Sequence, residues 1–536
     1  MNKLITSLKD LNKCKQSLNS FLNRLCLITM LLVCGFHSGK SQSPAVSQWV
    51  SLNYNGRLTY KTLDRGDRIM DFSFAGYMGG GFKLPEVPVI LTVSPGRKDN
   101  ATVIQDAIDK VSNMPLTNGF RGTVLLKSGT FNCSKTLNIN ANGVVLRGSG
   151  AGEGGTVINM TGEPHTCISV KGKDSTEVIG KPAAIADAYV PSGTVSFNIL
   201  DISSFKVGDL IRISRPVTES WVHFMGMDTL VRDGKKQTWI SGETLTERTI
   251  LKIDGNKIIV DVPLTDSYDA KFLAPKGATI VKISTTGEIS QVGIENLRII
   301  SPPKIVTITE KFNKALSIND VADVWLKNIE IINTINSVSV SGDRVTIENV
   351  NISHTVATEG SAKPADFTAG GKQILFDRCT IKGDNLFFFV TGARVSGPIV
   401  LLNCTFKGNG WIQPHARWAT GLLVDNCQVP DGGIDFMNRG EMGSGHGWTI
   451  GWAVAWNCLA KRYMNQMPPG AANWVIGCIG DQEKSPVPFG KFPLLPEGIY
   501  DSHFTPVTPS SLYLAQLSER LGNQALINIE YPIIAK

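Results

Sequence analysis

Side chains equipped for chemistry crowd into residues 411–474. This stretch holds six of the ten tryptophans, Trp411, Trp418, Trp448, Trp452, Trp456 and Trp474, together with His415 and His446. His415 and Arg417 stand two apart, so on a strand both would face one side. Asp435, Asn438, Arg439 and Glu441 follow, then His446 among glycines that permit close backbone approach by a ligand, then Lys461 and Gln466. β-Elimination of a uronate polysaccharide needs a base for the proton beside the carboxylate, a cation for the enolate-like intermediate and an acid for the leaving oxygen. His415 or Lys461 is the expected base, Arg417 and Arg439 the cations, and His446 the acid. Hydrolysis needs paired carboxylates flanking the bond, and Asp435 and Glu441 are the available pair, with Asp384 and Asp425 as outsiders. Tryptophan faces stack on sugar rings, so Trp411, Trp418, Trp448 and Trp452, with Asn438 and Gln466, are the expected substrate-binding residues. Trp456, beside Asn457, reads as core. The excess of His, Arg and Lys over carboxylates favours a lyase over a hydrolase. A third reading is a carbohydrate-binding protein that uses the tryptophans without acid or base.

What positions these groups is a repeated phrase. Its third residue is Asn296, Asn328, Asn349, Arg378, Asn403, Asn426, Asn457 and Gly477, at irregular spacings of about 20 to 30 residues. Each phrase leads into period-2 alternation, as in Leu297/Ile299, Ile329/Ile331 and Val350/Ile352, the pattern of a short strand with one buried face. Units that cannot bury their own apolar face must stack. The expected architecture is therefore all-β: coils piled about 4.8 Å apart, with variable loops on one side and an amide ladder at the Asn turn. Cys379, Cys404, Cys427, Cys458 and Cys478 take the inward position filled elsewhere by aliphatic residues and read as unpaired buried thiols. Residues 99–111 form an amphipathic helix, with Val103, Ile104, Ala107, Ile108 and Val111 on its apolar face, to cap the first coil. Between 193 and 283 the phrase stops, and a hairpin signal around Gly255-Asn256 marks a β-rich, barrel-like insertion with two readings, a groove wall through Trp221 and Trp239 or a cover that only protects an edge of the stack. Residues 148–155 are a glycine-rich connection rather than a phosphate loop, because no helix with a Lys-Ser/Thr start follows. After a proline-rich passage (Pro486, Pro488, Pro493, Pro496), residues 511–521 are an amphipathic helix expected as a terminal cover.

The chain resembles the pectate-lyase-like superfamily, in its rhamnogalacturonase and epimerase-type branch. The resemblance rests on Gln105-Asp106-Ala107-Ile108, on the Gly-x-Val-x-Leu-x-x-Gly-x-Phe phrase from Gly122 to Phe131, and on Asp71-Phe72-Ser73-x-Ala75-Gly76-Tyr77. It covers most of residues 66–480 and implies a right-handed parallel β-helix, a single-stranded solenoid whose members include lyases, hydrolases and epimerases. Similar proteins share the His-x-Arg-Trp-Ala-Thr-Gly phrase, matched at His415 to Gly421, and the Asn-Arg-Gly and Gly-His-Gly-Trp phrases, matched between Asn438 and Trp448. Where they carry an Arg-His pair before Phe-Val-Thr-Gly, this chain has Leu386-Phe387 before Phe388.

The first residues carry Lys3, Lys9, Lys13, Lys15 and Arg24 ahead of an apolar run of twelve, the order of a secretory signal peptide with cleavage near Ser41. The expected location is secreted or periplasmic, with no membrane span. Removing residues 1–41 takes six Lys/Arg and one Asp from 53 and 46, leaving 47 and 45, so the net charge falls from +7 to +2. That removes the electrostatic case for nucleic acid and leaves a polysaccharide as the expected partner. Seven cysteines then remain, an odd number that argues against a full disulfide framework. No zinc-like spacing occurs, no cofactor is expected, and calcium, used by lyases of this superfamily, finds no clear carboxylate trio. The expected segments are 1–41 signal, 42–192 cap and first coils, 193–283 insertion, 284–480 main solenoid with the site, and 481–536 the C-terminal cover.

Overall fold

A computed structural model describes residues 44–173, 175–305, 309–360, 362–484 and 494–533. The expected signal peptide, and Pro486, Pro488 and Pro493, lie outside them.

Among the described residues, the chain is mostly β and its main body is a stack of coils joined by parallel ladders. In the first ladder, Val124, Leu146, Ile294, Leu326, Ile347, Phe376, Leu401, Val424, Ala455 and Val475 fall in one column. A second runs Phe131, Ile158, Ile299, Ile331, Ile352, Ile381, Phe406. A third runs Leu137, Ile168, Leu316, Val338, Phe367, Phe389, Ile412, Ile434, Tyr463. These columns face inward and make one continuous apolar core. Each such side chain, fully buried, contributes about 1.5–3 kcal/mol.

The turn between first and second ladders is the repeated phrase. Asn296, Asn328, Asn349, Asn403, Asn426 and Asn457 all have φ between +50° and +59°, a conformation Asn tolerates better than most residues. Their amides form the expected ladder: Asn328 Nδ2 donates to Asn296 Oδ1 (3.1 Å) and Asn349 Nδ2 to Asn328 Oδ1 (2.8 Å). Arg378 interrupts it with the same φ, and it resumes from Asn426 to Asn403 (2.5 Å). The five stacked cysteines are free and buried, each Sγ donating to a carbonyl of the coil below, as Cys404 does to Phe376 O (3.5 Å).

The helix Ala101–Ser112 covers the first coils through Ile104, Ala107, Ile108 and Val111. Val103, expected on that face, is 47% exposed because it falls off the stripe the others define. The C-terminal helix Leu512–Leu521, capped by Ser511 Oγ accepting from Leu514 N (3.2 Å), does not close the end of the stack. It lies along the outward side of the first ladder, with Phe72 and Met70 against Leu375, Val400, Leu423 and Val454. Those outward positions are apolar, so the flank had to be covered.

The interruption is an antiparallel six-stranded sheet. It takes in Ser175–Ala184, paired with Thr279–Thr286, ahead of residue 193, and includes the Glu243–Asp254 and Lys257–Val260 hairpin. Ile211, Ile213, Ile250, Ile258 and Ile280 give it a core of its own.

Candidate functional site

The chemistry-bearing residues sit on successive turns leading from the third ladder back to the first. One turn links Gly410–Ile412 to Ala419–Asp425, and the next coil's longer loop links Gln428–Phe436 to Ile450–Gly451. The loop folds back on the shorter turn: Arg417 N donates to His446 O (3.1 Å) and Trp418 N to Trp448 O (3.0 Å). Arg417 and Trp418 hold left-handed φ values of +58° and +62°, a strained conformation that these cross-coil bonds support.

This backbone brings together two histidines that are distant in the chain. The rings of His415 and His446 lie 4.8 Å apart. Arg439 Nη1 donates to His415 Nδ1 (2.9 Å) and to His415 O (3.0 Å). A guanidinium has only donors, so Nδ1 must offer its lone pair and the neutral ring carries its proton on Nε2. Burial, reinforced by Arg439 and His446, pushes the His415 pKa down to about 3. Burial, with Arg439, Arg417 and Arg232, takes His446 down to about 4. Both rings are therefore neutral at ordinary pH. Arg439, itself lowered to about 10 by burial, stays charged. Arg417 Nη2 holds the loop through Ser444 Oγ (2.5 Å) and Ser444 O (3.1 Å).

An aromatic shelf adjoins the cluster. Phe387, Trp411, Gly433 and Arg462 form an outward column of the third ladder. A Cβ at Gly433 would lie 2.9 Å from Trp411 Cδ1, so glycine there lets the indole lie against the strand. Phe387 meets His415 edge-on at 5.5 Å, and the Arg439 guanidinium lies 5.6 Å from the Phe387 ring. Phe387 thus occupies, beside the histidine, the place where the resemblance implied a charged pair.

Several expected residues lie elsewhere. Trp418, Trp448 and Trp452 are 2–3% exposed. The Trp418 and Trp452 indoles donate to Asp266 (2.8 and 3.2 Å), and Trp448 to Met225 O (3.1 Å). They are wedges between coil stack and insertion rather than sugar platforms, because the insertion supplies the acceptors and rings that bury them. Trp456 is core, as expected, with its indole on Pro509 O (2.8 Å). Of the four expected platforms only Trp411 is partly exposed. Asn438 and Gln466 are buried and serve the loops, Asn438 Oδ1 accepting from Gly440 N (2.7 Å) and Gln466 Oε1 from Asn438 N of the preceding coil (2.8 Å). With Trp448 and Trp452, Asn438 also lines an apolar cavity of about 620 Å³ beside Phe224, whose lining does not include the histidines.

Asp435 is wholly buried, Oδ2 accepting from Gln413 Nε2 (2.7 Å) and Arg462 Nη2 (3.3 Å). Burial raises its pKa against the pull of Arg462 and Gln413. It anchors Arg462 and reaches no solvent. Among the described residues no hydrogen bond or ion pair joins Glu441, partly exposed at the start of the Met442–Gly445 turn, to the cluster. Lys461 is exposed, and its neighbour Arg462, paired with Gly433 in the ladder, is the one that reaches Asp435. Asp425 serves the C-terminal helix, accepting from Ser511 Oγ and Tyr513 N (both 2.7 Å), while Asp384 closes a surface turn on Asn409 N (2.6 Å).

The insertion does reach the loop. Arg232 Nη1 donates to Gly443 O (2.7 Å) and Trp239 Nε1 to Trp448 O (3.1 Å). Gly447, at φ +54°, has no room for a Cβ, which would sit 2.3 Å from Trp239. Among the described residues no three His, Cys, Asp or Glu side chains gather as a metal site would require, and no helix is long and apolar enough to cross a membrane.

No family model and no curated protein matches the chain. Among solved structures, it is similar to the tailspike protein gp49 from Pseudomonas phage LKA1, at 13% identity and a TM-score of 0.39 over 72% of this chain and 69% of the other. The Gp54 tailspike of Acinetobacter baumannii bacteriophage AP22, in complex with A. baumannii capsular saccharide, matches at 13% and 0.29 over 76% and 71%. PfbA, a surface adhesin of Streptococcus pneumoniae, matches at 8% and 0.18 over 77% and 92%. These similarities are distant, and the parallel coil stack stands on the strand pairing of this chain itself.

Proposed function

We propose that the chain is a secreted, right-handed parallel β-helix protein of the pectate-lyase-like kind that cleaves a uronate-containing polysaccharide by β-elimination. The observation that carries this reading is the pair of neutral imidazoles, His415 and His446, held 4.8 Å apart beside the Arg439 guanidinium. Elimination needs an unprotonated base next to fixed positive charge. Of the carboxylate pair expected for hydrolysis, Asp435 is fully buried and leaves Glu441 without its partner.

The geometry favours roles different from those expected from sequence. With Nδ1 occupied by Arg439, His415 presents Nε2–H outward and can only donate; beside Arg439 and Arg417 it stabilises the oxyanion of the enolate-like intermediate. His446 is the base. It takes the proton beside the uronate carboxylate, the bond to the leaving oxygen breaks as the ring double bond forms, and His446 returns that proton to the leaving oxygen. A carboxylate arriving among Arg417, Arg439 and Arg232 cancels part of the positive field that depresses His446, so its basicity rises as substrate binds.

Incubating the protein with a panel of uronate and neutral polysaccharides, while following ultraviolet absorbance of unsaturated ends together with reducing sugar, tests this. Both signals should rise on a uronate polymer. Reducing sugar alone indicates hydrolysis, and binding with neither signal indicates an adhesive protein. His446→Ala should lower kcat about a thousandfold.

A further inference from the structure

Lys363 was not singled out by the sequence, and no step of the proposed elimination uses it. It precedes the third-ladder strand Ala365–Ala369, and its Nζ lies 4.2 Å from the centre of the Trp411 ring. The ammonium donates to Asn385 Oδ1 (2.6 Å), and among the described residues no carboxylate forms an ion pair with it. Arg462, in the same column as Trp411, is by contrast neutralised by Asp435 (3.3 Å) and Glu483 (3.5 Å). Burial lowers the Lys363 pKa, the mark of a charge that has lost water without gaining a counter-ion. Trp411 is orphaned too: its Nε1 is buried and has no hydrogen-bond partner. The column that carries Trp411 carries Phe387, which touches His415, so a sugar lying on this shelf is next to the histidines.

We propose that Lys363 and Trp411 form a sugar subsite that recognises the carboxylate of a uronate residue flanking the one cleaved. The carboxylate takes the place of the missing counter-ion at Lys363 Nζ, which lies over the Trp411 ring, and the sugar's apolar face lies against the part of the half-exposed indole that the ammonium leaves open; Phe387, buried beneath, links the shelf to His415. A planar aromatic face selects a pyranose with its axial hydrogens to one side, and the ammonium beside it discriminates an acid from its ester or neutral counterpart. This rests on the reading of the neighbouring cluster as a saccharide site but not on the reaction occurring there.

The test is calorimetric binding of hexagalacturonate, its methyl ester and a neutral hexasaccharide, so no turnover is required. The folded protein should bind the acid more tightly than its ester, with the preference shrinking as salt rises. Lys363→Gln should weaken acid binding about tenfold and leave the ester unchanged, the size of one charge-assisted hydrogen bond. Trp411→Ala should weaken both, and Trp411→Phe should restore part of the loss. Thermal midpoints, read alongside, separate lost binding from lost folding. Equal affinity of wild type and Lys363→Gln for the acid at an unchanged midpoint overturns the proposal. If acid preference depends on Lys363 but no unsaturated ends ever form, the subsite stands and the elimination falls.

Discussion

At the scale of single residues, the site turns on which ring nitrogen carries a proton, and a guanidinium decides it. His415 and His446 are held down to about 3 and 4, chiefly by burial. If His446 is the base, the acid limb of the kcat/KM profile lies near pH 4 rather than near the 6.5 of free imidazole; a limb at 6.5 would remove His446 from that role. The same groups affect stability. Between pH 6.5 and about 4 the unfolded chain binds protons that the folded rings refuse, so their linked contribution is intact above 6.5 and is lost as pH falls. Arg439→Gln removes both the charge and the imposed tautomer. We expect kcat to drop about a hundredfold with a smaller change in KM, and the His415 titration, followed by NMR, to move up.

At the scale of elements, the amide ladder and the buried carboxyl at its edge make separate predictions. Asn328 bonds to both neighbours in the ladder and holds φ at +53°. Asn328→Ala should cost about 2 kcal/mol in chemical denaturation, and Asn328→Gly less, since glycine relieves the backbone part. Asp425 is fully buried beneath the C-terminal helix, and burial raises its pKa to about 7. Here the sign is opposite to that of the histidines. The folded state keeps a proton that the unfolded state releases, so stability falls as pH rises from about 4 to about 7. Asp425→Asn should flatten that slope; an unchanged slope would mean that Asp425 stays ionised in the fold.

At the scale of the whole molecule, the insertion and coil stack share a tryptophan core. Trp221 and Trp239 stack 4.9 Å apart, Trp418 meets both edge-on, and Asp266 of the insertion accepts the Trp418 and Trp452 indoles. Trp418→Ala should cost about 3–5 kcal/mol in a denaturant titration, and it should disturb the Arg417 turn, so binding suffers along with stability. A surface role for Trp418 predicts instead weaker binding at unchanged stability.

Much of this architecture was legible in one dimension. Alternation after each phrase requires short half-buried strands, an irregular interval requires stacked coils with loops of varying length, and an Asn at each turn can hold a left-handed conformation that few residues hold cheaply. Inward cysteines followed from the same columns, and the stretch 411–474 was recognisable as the neighbourhood of the site. Which side chains meet was not legible, because contacts across coils depend on register, and extra residues in one strand alter it. Between Val429 and Gly433 two extra residues shift the pairing, so that Gly433 lies beside Arg462, whose guanidinium reaches Asp435. Local spacing also cannot reveal that the inserted sheet turns back to bury three tryptophans, or that Arg439 reaches into the preceding coil and fixes the His415 proton. Strand identity is written in periodicity along the chain; partnership, burial and protonation are properties of neighbours supplied by other coils, and only the folded stack assembles them.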